Sequence, residues 1–110
     1  MALYATLKAA MDSKDFETMA AHYHPDYQFV RHQANITLSL DDWRKVAIPM
    51  MSHENWQVHE SRCLYENDDI LVVHNIITFP DGSSEAVMGV HTLKDGKIIR
   101  TETGATPLDR

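Results

Sequence analysis

The rhythm of apolar and polar positions changes about half-way along the chain. In the first half apolar residues recur every three or four positions; in the second they alternate or form short blocks. Leu3, Leu7 and Met11, spaced by four, predict a first helix with one apolar side. The stretch "DSKD" interrupts it and offers Asp12 or Ser13 as the N-cap of a second helix. That helix is expected to carry Phe16, Met19, Ala20 and Tyr23 at i, i+3, i+4 and i+7, and to stop before Pro25. "DYQFVRH" then alternates as a short strand with Tyr27, Phe29 and Arg31 on one side. Ser39 and Asp42 resemble a capping box for a third helix, with Leu38 and Trp43 placed as a hydrophobic staple. Trp43, Val46, Ala47 and Met50 continue its apolar side, and Pro49 falls in its last turn.

Everything afterwards reads as strand and turn. Four β-runs, at about 55–65, 69–79, 84–94 and 97–103, are separated by "ENDD", "PDGS" and "KDGK". Asp-Gly in two of these gaps marks hairpins, because such turns need positive φ. Helices first and a meander second predict an α+β fold: three N-terminal helices on one face of a curved, mostly antiparallel sheet, with residues 1–110 as a single domain. The run "ILVVHNIITF" is apolar on both alternating faces, although a strand with one solvated face should alternate with polar residues. The helices can cover one face only, so a second copy of the chain is expected on the other, giving a homodimer through the sheet.

Turn lengths give a first register. A two-residue Asp95-Gly96 loop pairs Gly89 with Glu102 and His91 with Arg100. Pairing Phe79 with Ser84 places His74 opposite Gly89, and a symmetric "ENDD" turn puts Ser61 beside His74. His74 and Glu102 would then flank a bare glycine, roughly 10 Å apart at Cα. One bulge in the last hairpin would reverse this and turn Thr101 and Thr103 inward in place of Glu102 and Arg100.

Composition narrows the partners. The net charge of −6 with scattered basic residues argues against a nucleic-acid backbone, although local charge leaves small anions open. No apolar run approaches the roughly 20 residues of a membrane span. "MALYATLKAA" lacks the pattern of a signal peptide, and the single Cys63 excludes an internal disulfide; both fit an expected cytoplasmic location. No metal site or cofactor is expected, since His22 and His24 at i and i+2 would not share a helix face.

The order of elements resembles the nuclear transport factor 2-like superfamily, which includes SnoaL-like polyketide cyclases and ketosteroid isomerases. "DFETMAAHYHPDYQFVRH" looks like the family's second helix and first strand, and "VHTLKDGKIIRTET" like its penultimate hairpin. The resemblance implies a cone with an apolar pocket, its inward positions including Tyr27, Phe29, Arg31, His74, Gly89 and His91. It also exposes departures from the isomerases. Leu7 falls where they have the oxyanion-binding tyrosine, Arg31 where they have the catalytic aspartate and Gly89 where they have a second acid. Steroid-type proton transfer by that machinery is therefore not expected.

Arg31 is the sharpest candidate. It could fork a ligand carboxylate or enolate oxygen, or pair with an internal acid such as Glu102 or Glu85. His74 and His91 are the candidate acid–base groups, set against the commoner role of a satisfied core histidine. Tyr27, Phe29, Trp43, Trp56, Gly89 and Glu102 complete the expected ligand contacts. The expected function is binding of a small, partly apolar organic molecule, an anion among the options, with isomerase- or cyclase-like acid–base turnover as its extension. The rival is a non-catalytic association module whose cone is filled by its own side chains.

Overall fold

Leu7 and Ala10 form the buried side of α1 (Leu3–Asp12). The structure, a computed structural model, describes residues 3–109. Lys14, at φ 57°, turns the chain out of α1. The cap of α2 (Phe16–Ala20) is Asp15, not Asp12 or Ser13: its carboxylate accepts from the Thr18 N–H at 3.2 Å and the Thr18 hydroxyl at 2.6 Å. The helix is shorter than expected because Tyr23 opens a strand, β1 (Tyr23–Arg31), where its ring stacks on Tyr27 at 4.1 Å. A helical period therefore misplaced Tyr23.

A single 3-10 turn (His32–Ala34) and Asn35, at φ 54°, reverse the chain into β2 (Ile36–Ser39). This four-residue strand is absent from the apolar pattern. Ser39 caps α3 (Leu40–Ser52) as expected, accepting from the Asp42 N–H at 3.2 Å. The helix buries Ala47 and Met51, whereas Val46, expected on its apolar side, is 46% exposed.

The remaining strands are β3 (Gln57–Glu66), β4 (Ile70–Thr78), β5 (Ser84–Lys94) and β6 (Lys97–Leu108). They form one mixed sheet in the order β2-β1-β6-β5-β4-β3, antiparallel except where β1 runs parallel to β6. Pro25 has no N–H to give a ladder, and the β1–β6 register shifts between Tyr23 and Gln28. The core lies between the helices and one sheet face, where Phe16, Met51, Trp56, Leu71 and Ile98 meet. No helix among the described residues is long and apolar enough to cross a membrane.

Two local features set which side chains face that core. The "PDGS" turn closes with Phe79 N–H bonded to the Ser83 carbonyl at 2.8 Å, so Thr78 rather than Phe79 pairs with Ser84. His74 consequently pairs with Met88, and Asn75 with Val87. At the other hairpin Asp95 and Gly96 adopt φ 53° and 76°, the two-residue turn that Asp-Gly predicts. Pairing then jumps from Leu93–Ile98 to Thr92–Arg100, so β6 contains one extra residue. That bulge pairs Gly89 with Thr103 and His91 with Thr101.

Candidate functional site

Inward side chains of β1, β4, β5 and β6, closed over by the helices, surround a cavity of about 140 Å³. Strand alternation lays them out in rows. Leu71, His91, Thr101 and Phe29 make one row; Val73, Gly89, Thr103 and Arg31 make the next. Asn75 and Val87 follow, two residues further along their strands. Trp43 of α3 stacks on Phe29 at 3.9 Å with the rings 7° from parallel, and Trp56 closes another side of the cavity.

Of the residues expected at the site, Tyr27, Phe29, Arg31, Trp43, Trp56, Gly89 and His91 all line this cavity. Two do not. His74 projects from the opposite sheet face, because the turn before β5 is one residue longer on the β4 side than expected, and a one-residue slip reverses every side chain. Glu102 is turned out by the β6 bulge and joins His74 in a groove on that outer face. There it accepts from the His32 ring at 3.0 Å and from Arg100 Nε at 3.3 Å. The ring hydrogen bond from His32, then that from Arg100, holds its carboxyl below the usual range. Ser61 is likewise not opposite His74; Arg62 is, since β3 is irregular between His59 and Arg62.

The residues that replace them are Asn75, Thr101 and Thr103, together with Tyr23 from the mispredicted helix end. Asn75 was visible as the polar residue on the other face of "ILVVHNIITF", and only the register could choose between it and His74.

His91 is the one histidine lining the cavity among the described residues. It is half-buried and lines the cavity. Its Nδ1 lies 2.7 Å from the Thr101 hydroxyl, while a Cβ placed on Gly89 would sit 3.9 Å from its Nε2. Burial lowers its pKa from 6.5 to about 4, so the ring is neutral near pH 7. Burial also raises the Tyr23 hydroxyl to about 12 and pushes Tyr27 well above its ordinary value; both are neutral phenols.

Among the described residues lining this cavity, four buried polar atoms lack a partner in good hydrogen-bond geometry: the Tyr27 hydroxyl, the indole N–H groups of Trp43 and Trp56, and Asn75 Oδ1; the Tyr23 hydroxyl nevertheless lies close enough to Trp43 and Tyr27 to interact with both. Thr101 lies near enough to ease ionisation of Tyr27 slightly, but not in bonding geometry. Buried polar groups are normally satisfied, and each orphan costs free energy. Among the described residues Arg31 is the only cation in the lining; its terminal nitrogen is 3.4 Å from both Glu85 carboxylate oxygens, and its guanidinium carbon is 5.9 Å from the Phe79 ring centre. Among the described residues no group of three or more His, Cys, Asp or Glu could hold a metal ion.

The model of the SnoaL-like domain matches residues 4–101. The chain belongs to the SnoaL-like family. No curated protein matches this SnoaL-like chain in sequence. Solved structures match its fold. A nuclear transport factor 2-like protein of unknown function from Cytophaga hutchinsonii is 14% identical, with a TM-score of 0.74 over 94% of this chain and 87% of that one. A candidate ketosteroid isomerase from Kribbella flavida is 16% identical, with a TM-score of 0.78 over 99% and 78%. TerC, co-crystallised with polyporic acid, is 19% identical, with a TM-score of 0.73 over 94% and 88%. At these identities the likeness concerns the fold.

Proposed function

We propose that this SnoaL-like domain binds a small, largely apolar organic molecule in the cavity beneath its helices. The observation that carries this reading is the enclosed space itself, walled by aromatic and aliphatic side chains with Arg31, Asn75, His91, Thr101 and Thr103 as polar members of its lining. Ligand sites have this composition: apolar surface for affinity and a few polar groups for orientation. A cavity of about 140 Å³ also favours a ligand over the rival in which the chain's own side chains fill the space. The co-crystallisation of TerC with polyporic acid supports the same use of the fold.

His91 is the group for any acid–base step. With Thr101 donating to its Nδ1, the ring offers an Nε2–H to a ligand oxygen; in the other tautomer Nε2 accepts. A neutral imidazole can polarise a carbonyl without taking a full charge. Its low pKa makes complete protonation costly, so binding and polarisation are favoured over proton abstraction. His74 has no part in this cavity.

The outer sheet face, with Met88 40% exposed beside Val90 and Ala86, is the surface we assign to a second copy. On that side of β4, Val72 is half-buried and would gain from such cover, whereas Ile76 is already buried within the chain.

Tryptophan fluorescence tests the ligand reading, because both tryptophans of the chain line the cavity. Titration with small cyclic ketones, amides and alcohols should give saturable changes. No change with any of them at millimolar concentration would overturn the proposal.

A further inference from the structure

The charge around the cavity carries the ligand reading one step further. Among the described residues Arg31 is the only cation in the lining, and its charge is already matched. Its Nη2 lies 3.4 Å from each Glu85 oxygen, and the two side chains are only 32% and 17% exposed. A carboxylate reaching Arg31 has two courses. It can sit beside Glu85 as a like charge, or displace Glu85 and leave it partly buried without a partner. Both are unfavourable at this partly buried pair. No second cation relieves the conflict, since His91 is neutral near pH 7.

What the cavity does offer is neutral hydrogen bonding. His91 Nε2 stands beside the open space at Gly89, and Asn75, Thr101 and Thr103 add an amide and two hydroxyls to the lining. Each of these groups is neutral and can donate to a carbonyl or hydroxyl oxygen. The volume, about 140 Å³, is comparable with the engineered apolar cavity of about 150 Å³ that holds benzene.

We infer that the cavity takes an uncharged molecule of about one ring bearing a hydrogen-bonding oxygen, and that Glu85, by holding Arg31, is the residue that excludes anions. This rests on the ligand reading above. It departs from the expectation that Arg31 forks a ligand carboxylate and builds instead on the ion pair with Glu85, the other role open to Arg31.

The test compares benzamide with benzoate, alike in shape and different in charge, by following the Trp43 and Trp56 indole N–H signals in NMR titrations. In the wild type benzamide should shift both signals saturably, and benzoate should bind at least about tenfold more weakly. In Glu85→Gln benzoate should gain about tenfold or more while benzamide stays within about twofold, and adding Arg31→Met should remove the gain. Equal binding of both probes by the wild type, which needs no variant, overturns the charge inference and leaves the ligand reading standing. So does a folded Glu85→Gln protein that gains nothing for benzoate. If neither probe moves either indole signal, the ligand reading falls, and this inference with it.

Discussion

His91 Nδ1 and the Thr101 hydroxyl meet at 2.7 Å across the β5–β6 ladder, and they meet because β6 has one residue more than its partner. Without that bulge Arg100 would stand opposite His91, placing a cation where the cavity now has a neutral hydroxyl. The bulge therefore sets both the orientation of the imidazole and the neutrality of its surroundings.

The first prediction follows from burial of His91. The unfolded chain titrates this ring near 6.5, the folded chain near about 4, so between these values the unfolded state binds the extra proton. The contribution of neutral His91 is complete above pH 6.5 and is lost as the pH falls toward 4. Its size is at most about 3.5 kcal/mol. Denaturant unfolding at pH 7.5 and 4.5 should show a smaller loss of stability in His91→Gln than in the wild type. An equal loss would mean that His91 is not the buried neutral group described above.

Much of this arrangement was legible in the sequence. Asp95-Gly96 specified its turn through two positive φ angles, Ser39 specified the start of α3, and the change of apolar rhythm specified the order of helices and strands. The failures concern quantities that local pattern does not encode. Whether His74 or Asn75 enters the cavity depends on one residue of turn length, and both faces of β4 are apolar enough to accept either register. Tyr23 fits a helical period equally well; its place in β1 is accompanied by stacking on Tyr27 and distant pairing with Ile98. The strand β2 is too short to show a period and depends on β1 for its hydrogen bonds.

Asn75 gives the second prediction. It is 6% exposed, and its side-chain oxygen lacks a partner. Replacing an unsatisfied buried amide by an apolar side chain of similar volume removes a desolvation cost. Asn75→Leu should therefore be as stable as the wild type, or more stable by about 1 kcal/mol, in denaturant unfolding without added ligand. The same protein should lose affinity for benzamide. A strongly destabilised Asn75→Leu would show that the amide has a structural role instead.

The proposed second copy makes a third prediction. Met88 is 40% exposed on the outer face, between His74 of β4 and Gly104 of β6. An aspartate there adds a charge to an apolar interface but touches nothing in the cavity. Light scattering after size exclusion should find the wild type dimeric and Met88→Asp monomeric, with benzamide binding retained. A monomeric wild type would remove the assignment of this face.

Gly89 joins packing and function in the last prediction. It lies between Val73 and Thr103 in the ladder and beside the ring of His91, so its missing side chain is part of the space at the imidazole. A Cβ there would lie 3.2 Å from Val73 Cγ2, close enough that Val73 must shift by a few tenths of an ångström. That crowding costs on the order of 1 kcal/mol, while replacing a strand glycine with alanine returns roughly 0.5–1 kcal/mol of chain entropy. The two effects nearly cancel, and Gly89→Ala should unfold within about 1 kcal/mol of the wild type. The new methyl would also lie 3.9 Å from His91 Nε2, an ordinary contact that screens this nitrogen from a ligand. Benzamide affinity should accordingly fall by about tenfold, a loss of about 1.4 kcal/mol at the site with little change in the fold. Stability preserved and affinity lost would locate the ligand beside His91; unchanged affinity in a folded Gly89→Ala protein would place it elsewhere in the cavity.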